Sequence, residues 1–328
     1  MKKPKMMIFD YGHTLCYEPE QNYERGWRAA MEHAVRNPRG ITAAQLHEYS
    51  REIYADLLKK MRPLELETDG LKLDESIFDA LGLGFDVSMQ EREYIRWCAT
   101  EPIFPMEGIE DFLALCRELD IRTGVISNLS FSGATLIRRI NECLPFHNFE
   151  FIVASSECVF RKPSEHIFRR ALGLAGLEPE DCWFAGDDVE CDVEGAARSG
   201  LYPIWFKCPL KCTYKPECPH PPRCEHLKVS SWAELGEVLR RCECPCESRR
   251  AVVQYQDESG AANAHFRYRP RHRHRGLRRH RLRTGQTELH PLRRHNHPGG
   301  DEPLQPAGPH LCGHVRGHPH LQARRRGD

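Results

Sequence analysis

The chain lacks any apolar run close to the ~18 residues that cross a bilayer. Its basic start, MKKPKMMIFD, reaches Asp10 too soon to hold the apolar core of a signal peptide. A cytoplasmic location and no membrane partner are therefore expected. Residues 247–328 contain no Ile, Met, Trp or Lys, and only 11 of these 82 residues are Val, Leu or Phe. That is below the roughly 20% a packed core usually needs. The same stretch holds 17 Arg against 7 acids and 11 of the 18 His. The formal net charge of zero thus conceals a split, with 30 bases against 40 acids in residues 1–246. The first part, at −10, reads as globular, and the second, at +10, as a disordered tail. Internal repeats are also lacking. The 15 cysteines, in a chain expected in a reducing compartment, read as free thiols or metal ligands, not a disulfide framework.

What is present is a change of rhythm. Lys5–Phe9 reads as a buried strand. From Glu18 to about Thr100, NYERGWRAAMEHAVRN, TAAQLHEYSREIYADLLKKM and SMQEREYIRWCA carry apolar residues at helical spacing, with Thr42 and Ser88 as N-caps. After Pro105, helices alternate with near-continuous apolar strands. GIEDFLALCREL leads to RTGVISN, GATLIRRINECL to FEFIVAS, SEHIFRRALGLAG to DCWFAGD, and VEGAARSG to YPIWF. That alternation predicts a parallel sheet covered on both faces. Ser231–Glu234 reads as a capping box opening a last helix to about Arg241. The helical block interrupts the alternation after its first strand, so it reads as an insertion. The expected boundaries are a core of residues 1–17 and 101–241, a helical cap of 18–100 and a tail of 242–328.

In doubly wound sheets ligands bind beyond the carboxyl ends of the strands. Four strand ends here carry chemistry. Asp10 follows the first, and Ser127 and Asn128 the second. Lys162, in FRKPS, follows the third, and Asp187, Asp188 and Asp192, in GDDVECD, the fourth. Carboxylates gathered at one point repel one another, and Mg²⁺, which prefers carboxylate oxygens and water, relieves that. A lysine and a hydroxyl beside them suit phosphoryl oxygens.

At these residues the chain resembles the haloacid dehalogenase superfamily of hydrolases. FDYGHT looks like its first motif, VISN its second, RKPS its third and GDDVECDVEGAARSG its fourth. The resemblance spans residues 5–206 and the capping helix that ends near Arg241. It implies a Rossmann-like α/β core with a helical cap over the substrate. Asp10 would be the nucleophile that forms an aspartyl-phosphate. Ser127 and Asn128 would bind phosphoryl oxygens, Lys162 would neutralise charge, and Thr14 would brace the nucleophile loop at the substrate. Mg²⁺ would be held by Asp10, the Gly12 carbonyl, Asp187 and Asp192, with Asp188 as an outer acid. The implied activity is Mg²⁺-dependent hydrolysis of a small phosphorylated metabolite.

One further thing is lacking. Phosphatases of that family usually place a second aspartate two residues after the nucleophile, where this chain has Gly12. Positioned general acid–base catalysis contributes about 10²–10⁴-fold. His13 is one substitute, since imidazole titrates near neutral pH. A substrate with a good leaving group needs less help. A phosphate-binding protein with little or no turnover is the remaining reading.

Residues 208–226, CPLKCTYKPECPHPPRCEH, set Cys208, Cys212, Cys218 and Cys224 at intervals of three, five and five residues within a Cys/Pro-rich loop (207–228). Structural Zn²⁺ sites more often use two-residue knuckles, so a zinc site and a loop of free thiols both stand. In the tail, HFRYRPRHRHRGLRRHRLRTG suits nucleic-acid backbones. Arginine without lysine is also what GC-rich DNA gives when read out of frame. Nucleic acid is therefore expected as a partner only if the basic tail is genuine.

Overall fold

A computed structural model describes residues 1–207, 210 and 218–242. β1 (Met6–Phe9) is buried along its whole length. Met7 and Phe9 enter one apolar layer, and Met6 and Ile8 the other. Such two-sided burial explains the unbroken apolar run, each side chain contributing about 1.5–3 kcal/mol. The chain then turns, with Leu15 and Cys16 N–H both donating to the Tyr11 carbonyl (2.9 and 3.0 Å), and enters β2 (Cys16–Tyr17).

The insertion follows. It comprises α1 (Tyr23–Met31), β3 (Ala34–Arg36), α2 (Ala43–Met61), α3 (Gly70–Leu81), β4 (Gly84–Phe85) and α4 (Met89–Thr100). Its small core of Trp27, Leu46, Ile77, Phe78, Leu81 and Leu83 is separate from the sheet layers. Thr42 and Ser88 cap α2 and α4 as expected, and Thr42 forms a full capping box with Gln45. The first predicted helix is cut short. After Met31 the chain extends and Ala34–Arg36 pairs antiparallel with β4, so Val35 lies in a ribbon, where a β-branched residue is at ease. β2 pairs antiparallel with β5 (Phe104–Pro105), which clips together the two points where the chain leaves and re-enters the core.

The core continues through α5 (Ile109–Glu118), β6 (Arg122–Ser127), α6 (Gly133–Cys143) and β7 (Ile152–Ala154). Next come α7 (Glu165–Ala175) and β8 (Cys182–Gly186). A π-helical turn (Val189–Glu194) runs into α8 (Gly195–Arg198), before β9 (Tyr202–Phe206), β10 (Leu227–Val229) and α9 (Trp232–Arg241). Six strands form one parallel sheet in the order β10-β9-β8-β1-β6-β7. The fold is therefore α/β and Rossmann-like, as the alternation of elements predicts. β10 was not legible, being three residues behind a proline-rich segment. Only half of the expected box at α9 closes. Ser231 Oγ accepts from Glu234 N–H (3.2 Å), but the Glu234 carboxylate takes the N–H of Ser230 (2.8 Å), one residue early. Among the described residues no helix is long and apolar enough to cross a membrane. The basic tail from residue 243, with Cys208 and Cys212, lies outside the described residues.

Candidate active site

β1 lies between β8 and β6, so Asp10, directly after it, stands between the ends of both neighbours. Its N–H donates to the Ala185 carbonyl (2.9 Å), continuing the ladder one residue past the strand. Asp10, Asp187 and Asp192 each bring a carboxylate oxygen to within 4.8 Å of the others'. Asp192 reaches this point because the backbone at Gly186 leaves room. A Cβ there would lie 2.4 Å from the Asp192 Cγ. Asp192 is fixed further by the N–H of Asp188, which donates to its Oδ2 (3.0 Å).

Lys162 is buried among these acids. Its ammonium donates to Asp10 Oδ1 and to the Ile126 carbonyl (3.1 Å), and forms an ion pair with Asp192 Oδ1 (2.8 Å). Burial alone would push its pKa down, but Asp10 and Asp192 outweigh that and hold it above the ordinary lysine value. Burial pushes the Asp192 carboxyl up to about 6; Asp10 and Asp188 act in the same sense and Lys162 against it. One lysine thus only partly compensates three crowded acids.

The other expected residues are distributed around this centre. Ser127 ends β6 and is buried. Asn128 ties down the lysine loop, with its Nδ2 donating to the Lys162 carbonyl and its Oδ1 accepting the Lys162 N–H, both at 2.7 Å. Thr14 is fully buried, and its hydroxyl makes no hydrogen bond among the described residues. Asp188 is not in the three-acid group. Its Oδ1 caps the following turn, accepting from Glu190 N–H (3.1 Å) and Cys191 N–H (2.9 Å). His13 is buried in a left-handed conformation (φ 57°), with its Nε2 3.9 Å from Glu18 Oε2.

Glu18 was not found by sequence reasoning. Its side chain is buried beside the site, and burial drives its carboxyl well above the usual range, with Glu101, Asp10 and Asp187 adding to the effect and Arg139 opposing it. The sequence signals it only as an acid a few residues past Asp10, in CYEPEQ. The turn and ribbon that fold it back over Gly12 depend on pairing with Phe104–Pro105, far away in sequence.

Of the cysteine set, Cys218 lies with Glu190 and His220, their donor atoms within 4.8 Å of one another. Cys224 instead faces the Val193 carbonyl, Sγ to O 3.8 Å. Cys208 and Cys212, the other two of the expected set, lie outside the described residues.

The chain is 27% identical over 176 residues to N-acylneuraminate-9-phosphatase of Homo sapiens, covering 52% of this chain and 67% of that protein. It is 36% identical over 107 residues to phosphoserine phosphatase of Thermus thermophilus, covering 32% of this chain and 40% of the relative. A solved 2-haloacid dehalogenase from Pseudomonas syringae pv. Tomato aligns with 74% of this chain and 99% of its own, at a TM-score of 0.46 and 20% identity. The family model for haloacid dehalogenase-like hydrolases matches residues 4–200, well over half of the sequence, and the chain belongs to that family.

Proposed function

We propose that the protein is a Mg²⁺-dependent phosphatase acting on a small phosphorylated metabolite through an aspartyl-phosphate on Asp10. The observation that carries this is the convergence of three carboxylates on one point with a buried ammonium bonded to two of them. The donor set suits the metal. Asp10, Asp187 and Asp192 offer hard oxygens, as Mg²⁺ prefers, and their mutual repulsion leaves room for a second cation. When bound, Mg²⁺ would neutralise phosphoryl charge and keep substrate and nucleophile from repelling one another. The Gly12 carbonyl is a further candidate ligand.

The protein's own groups divide the remaining work. Asp10 attacks phosphorus in line with the departing oxygen. Lys162 holds Asp10 in place and, being kept cationic, offsets the negative charge that builds on the phosphoryl oxygens. Ser127 offers its hydroxyl to a phosphoryl oxygen, and Asn128 has a second N–H for the same purpose while it positions Lys162. The helices of residues 18–100 act as the cap that sets substrate choice. Glu67 links them to the lysine loop, accepting from Ser155 Oγ (2.9 Å) and pairing with Arg161 (3.2 Å). The phosphatase names of the two relatives above support this reaction class.

Gly12 favours a second reading, a phosphate-binding protein without turnover. Phosphate release from a panel of small phosphorylated metabolites, with and without MgCl₂, separates the two. Release that requires Mg²⁺ supports the enzyme. Saturable phosphate binding without release supports the binding protein.

A further inference from the structure

We infer that Glu18 supplies the proton chemistry that the carboxylate absent from residue 12 would otherwise supply, an inference that rests on the phosphatase reading above. The geometry is specific. A Cβ built on Gly12 would lie 3.3 Å from both carboxylate oxygens of Glu18 and 3.7 Å from its Cδ. A side-chain carboxylate at residue 12 would thus start from a point in contact with the Glu18 carboxylate. Gly12 is not in the left-handed region, so no turn requires a glycine there. A side chain there would press on Glu18, whose carboxylate lies beside the bare Cα.

Glu18 is held in that space by the fold. β2 delivers it, and β5 clips β2 to the core. Its side chain is 5% exposed, so few other rotamers are open to it. His13 is the nearest rival, but its Nε2 points at Glu18 Oε2 from 3.9 Å and its backbone is in the left-handed region. That arrangement places the His13 imidazole beside Glu18.

The two steps balance as follows. In the first, Asp10 Oδ forms a bond to phosphorus, the bond from phosphorus to the leaving oxygen breaks, and the Glu18 carboxylic acid gives its proton to that oxygen. In the second, a water oxygen attacks phosphorus, its proton passes to the Glu18 carboxylate, and the bond from phosphorus to Asp10 breaks. Inorganic phosphate leaves, and both acids return to their starting states.

The test compares the full-length parent with Glu18→Gln, Glu18→Ala and the double variant Gly12→Asp/Glu18→Ala. The esters are methyl phosphate, with a poor leaving group, and p-nitrophenyl phosphate, with a good one. Glu18→Gln should lose about 100-fold or more in kcat on methyl phosphate. On p-nitrophenyl phosphate it should keep a rapid burst of p-nitrophenolate, one per enzyme, followed by slow turnover as the phosphoenzyme accumulates. Gly12→Asp should restore Glu18→Ala to within about tenfold of the parent, because it returns a carboxylate beside the position that Glu18 held. An unchanged Glu18→Gln, or an equal loss on both esters without a burst, overturns the inference. So does loss of fold in both Glu18→Gln and the double variant, since the carboxylate would then be needed for structure. A parent that releases no phosphate from either ester or from the metabolite panel overturns the phosphatase reading itself.

Discussion

Lys162 shows how much one residue decides at this site. Its ammonium is the cation bonded to Asp10 and Asp192, and it is 1% exposed. Removing one partner of a buried ion pair typically costs about 3–5 kcal/mol, because the charges left behind are uncompensated. Lys162→Met should therefore lower the melting temperature of the metal-free protein by at least about 6 °C, given roughly 2–4 °C per kcal/mol for a domain of this size. MgCl₂ should raise the melting temperature of that variant more than the parent's, since a second cation can take over part of the compensation. An equal rise in both would argue that the metal does not bind among these acids. Asp10→Asn is the complementary change. The amide is isosteric but a poor nucleophile, so turnover should disappear while the circular dichroism stays the same. Residual turnover near the parent level would remove Asp10 from its assigned role. The sequence displayed both residues, because each stands at a strand's end in a repeating pattern. Glu18 was hidden, since its place depends on a turn and a distant pairing that no local spacing reveals.

Among the elements, the end of β8 does the most to assemble the acids. Gly186 closes the strand, and the space above it is taken by Asp192 from the π-helical turn. Gly186→Ala would put a methyl group 2.4 Å from the Asp192 Cγ. Asp192 must then swing away from Asp10 and Asp187. Mg²⁺ affinity, read by titration calorimetry, should fall by about 10–100-fold, the usual size for disturbing what positions a ligand. An unchanged isotherm would mean that Asp192 is not needed for the metal. Elements with a long apolar signal were legible: β1, β6 and β8, and α2 with its Thr42 cap. Those decided by partners were not. The β3–β4 ribbon exists because Ala34 and Arg36 find Phe85 and Gly84, and β10 because β9 offers it an edge. For such short strands, pairing supplies the preference that local composition lacks.

For the whole molecule, composition separates an acidic part of residues 1–246 from a basic part at +10. Residues 247–328 are poor in apolar side chains, and a chain ending at Cys246 is expected to fold cooperatively and to keep whatever activity the full chain shows with Mg²⁺. Loose attraction between opposite charges would be screened at 0.15 M salt, where the Debye length is about 8 Å. A fall in melting temperature of more than about 5 °C, worth roughly 1–2 kcal/mol, would show that the tail packs on the rest. The central claim concerns Asp10, and trapping the phosphoenzyme tests it most directly. The full chain is mixed with p-nitrophenyl phosphate and MgCl₂, quenched rapidly in acid, digested and examined by peptide mass spectrometry. The expected result is one phosphoryl group on the peptide containing Asp10, absent when Mg²⁺ is withheld and absent in Asp10→Asn. Phosphate released at the parent rate with no adduct on Asp10, or with an adduct on another residue, would contradict the account.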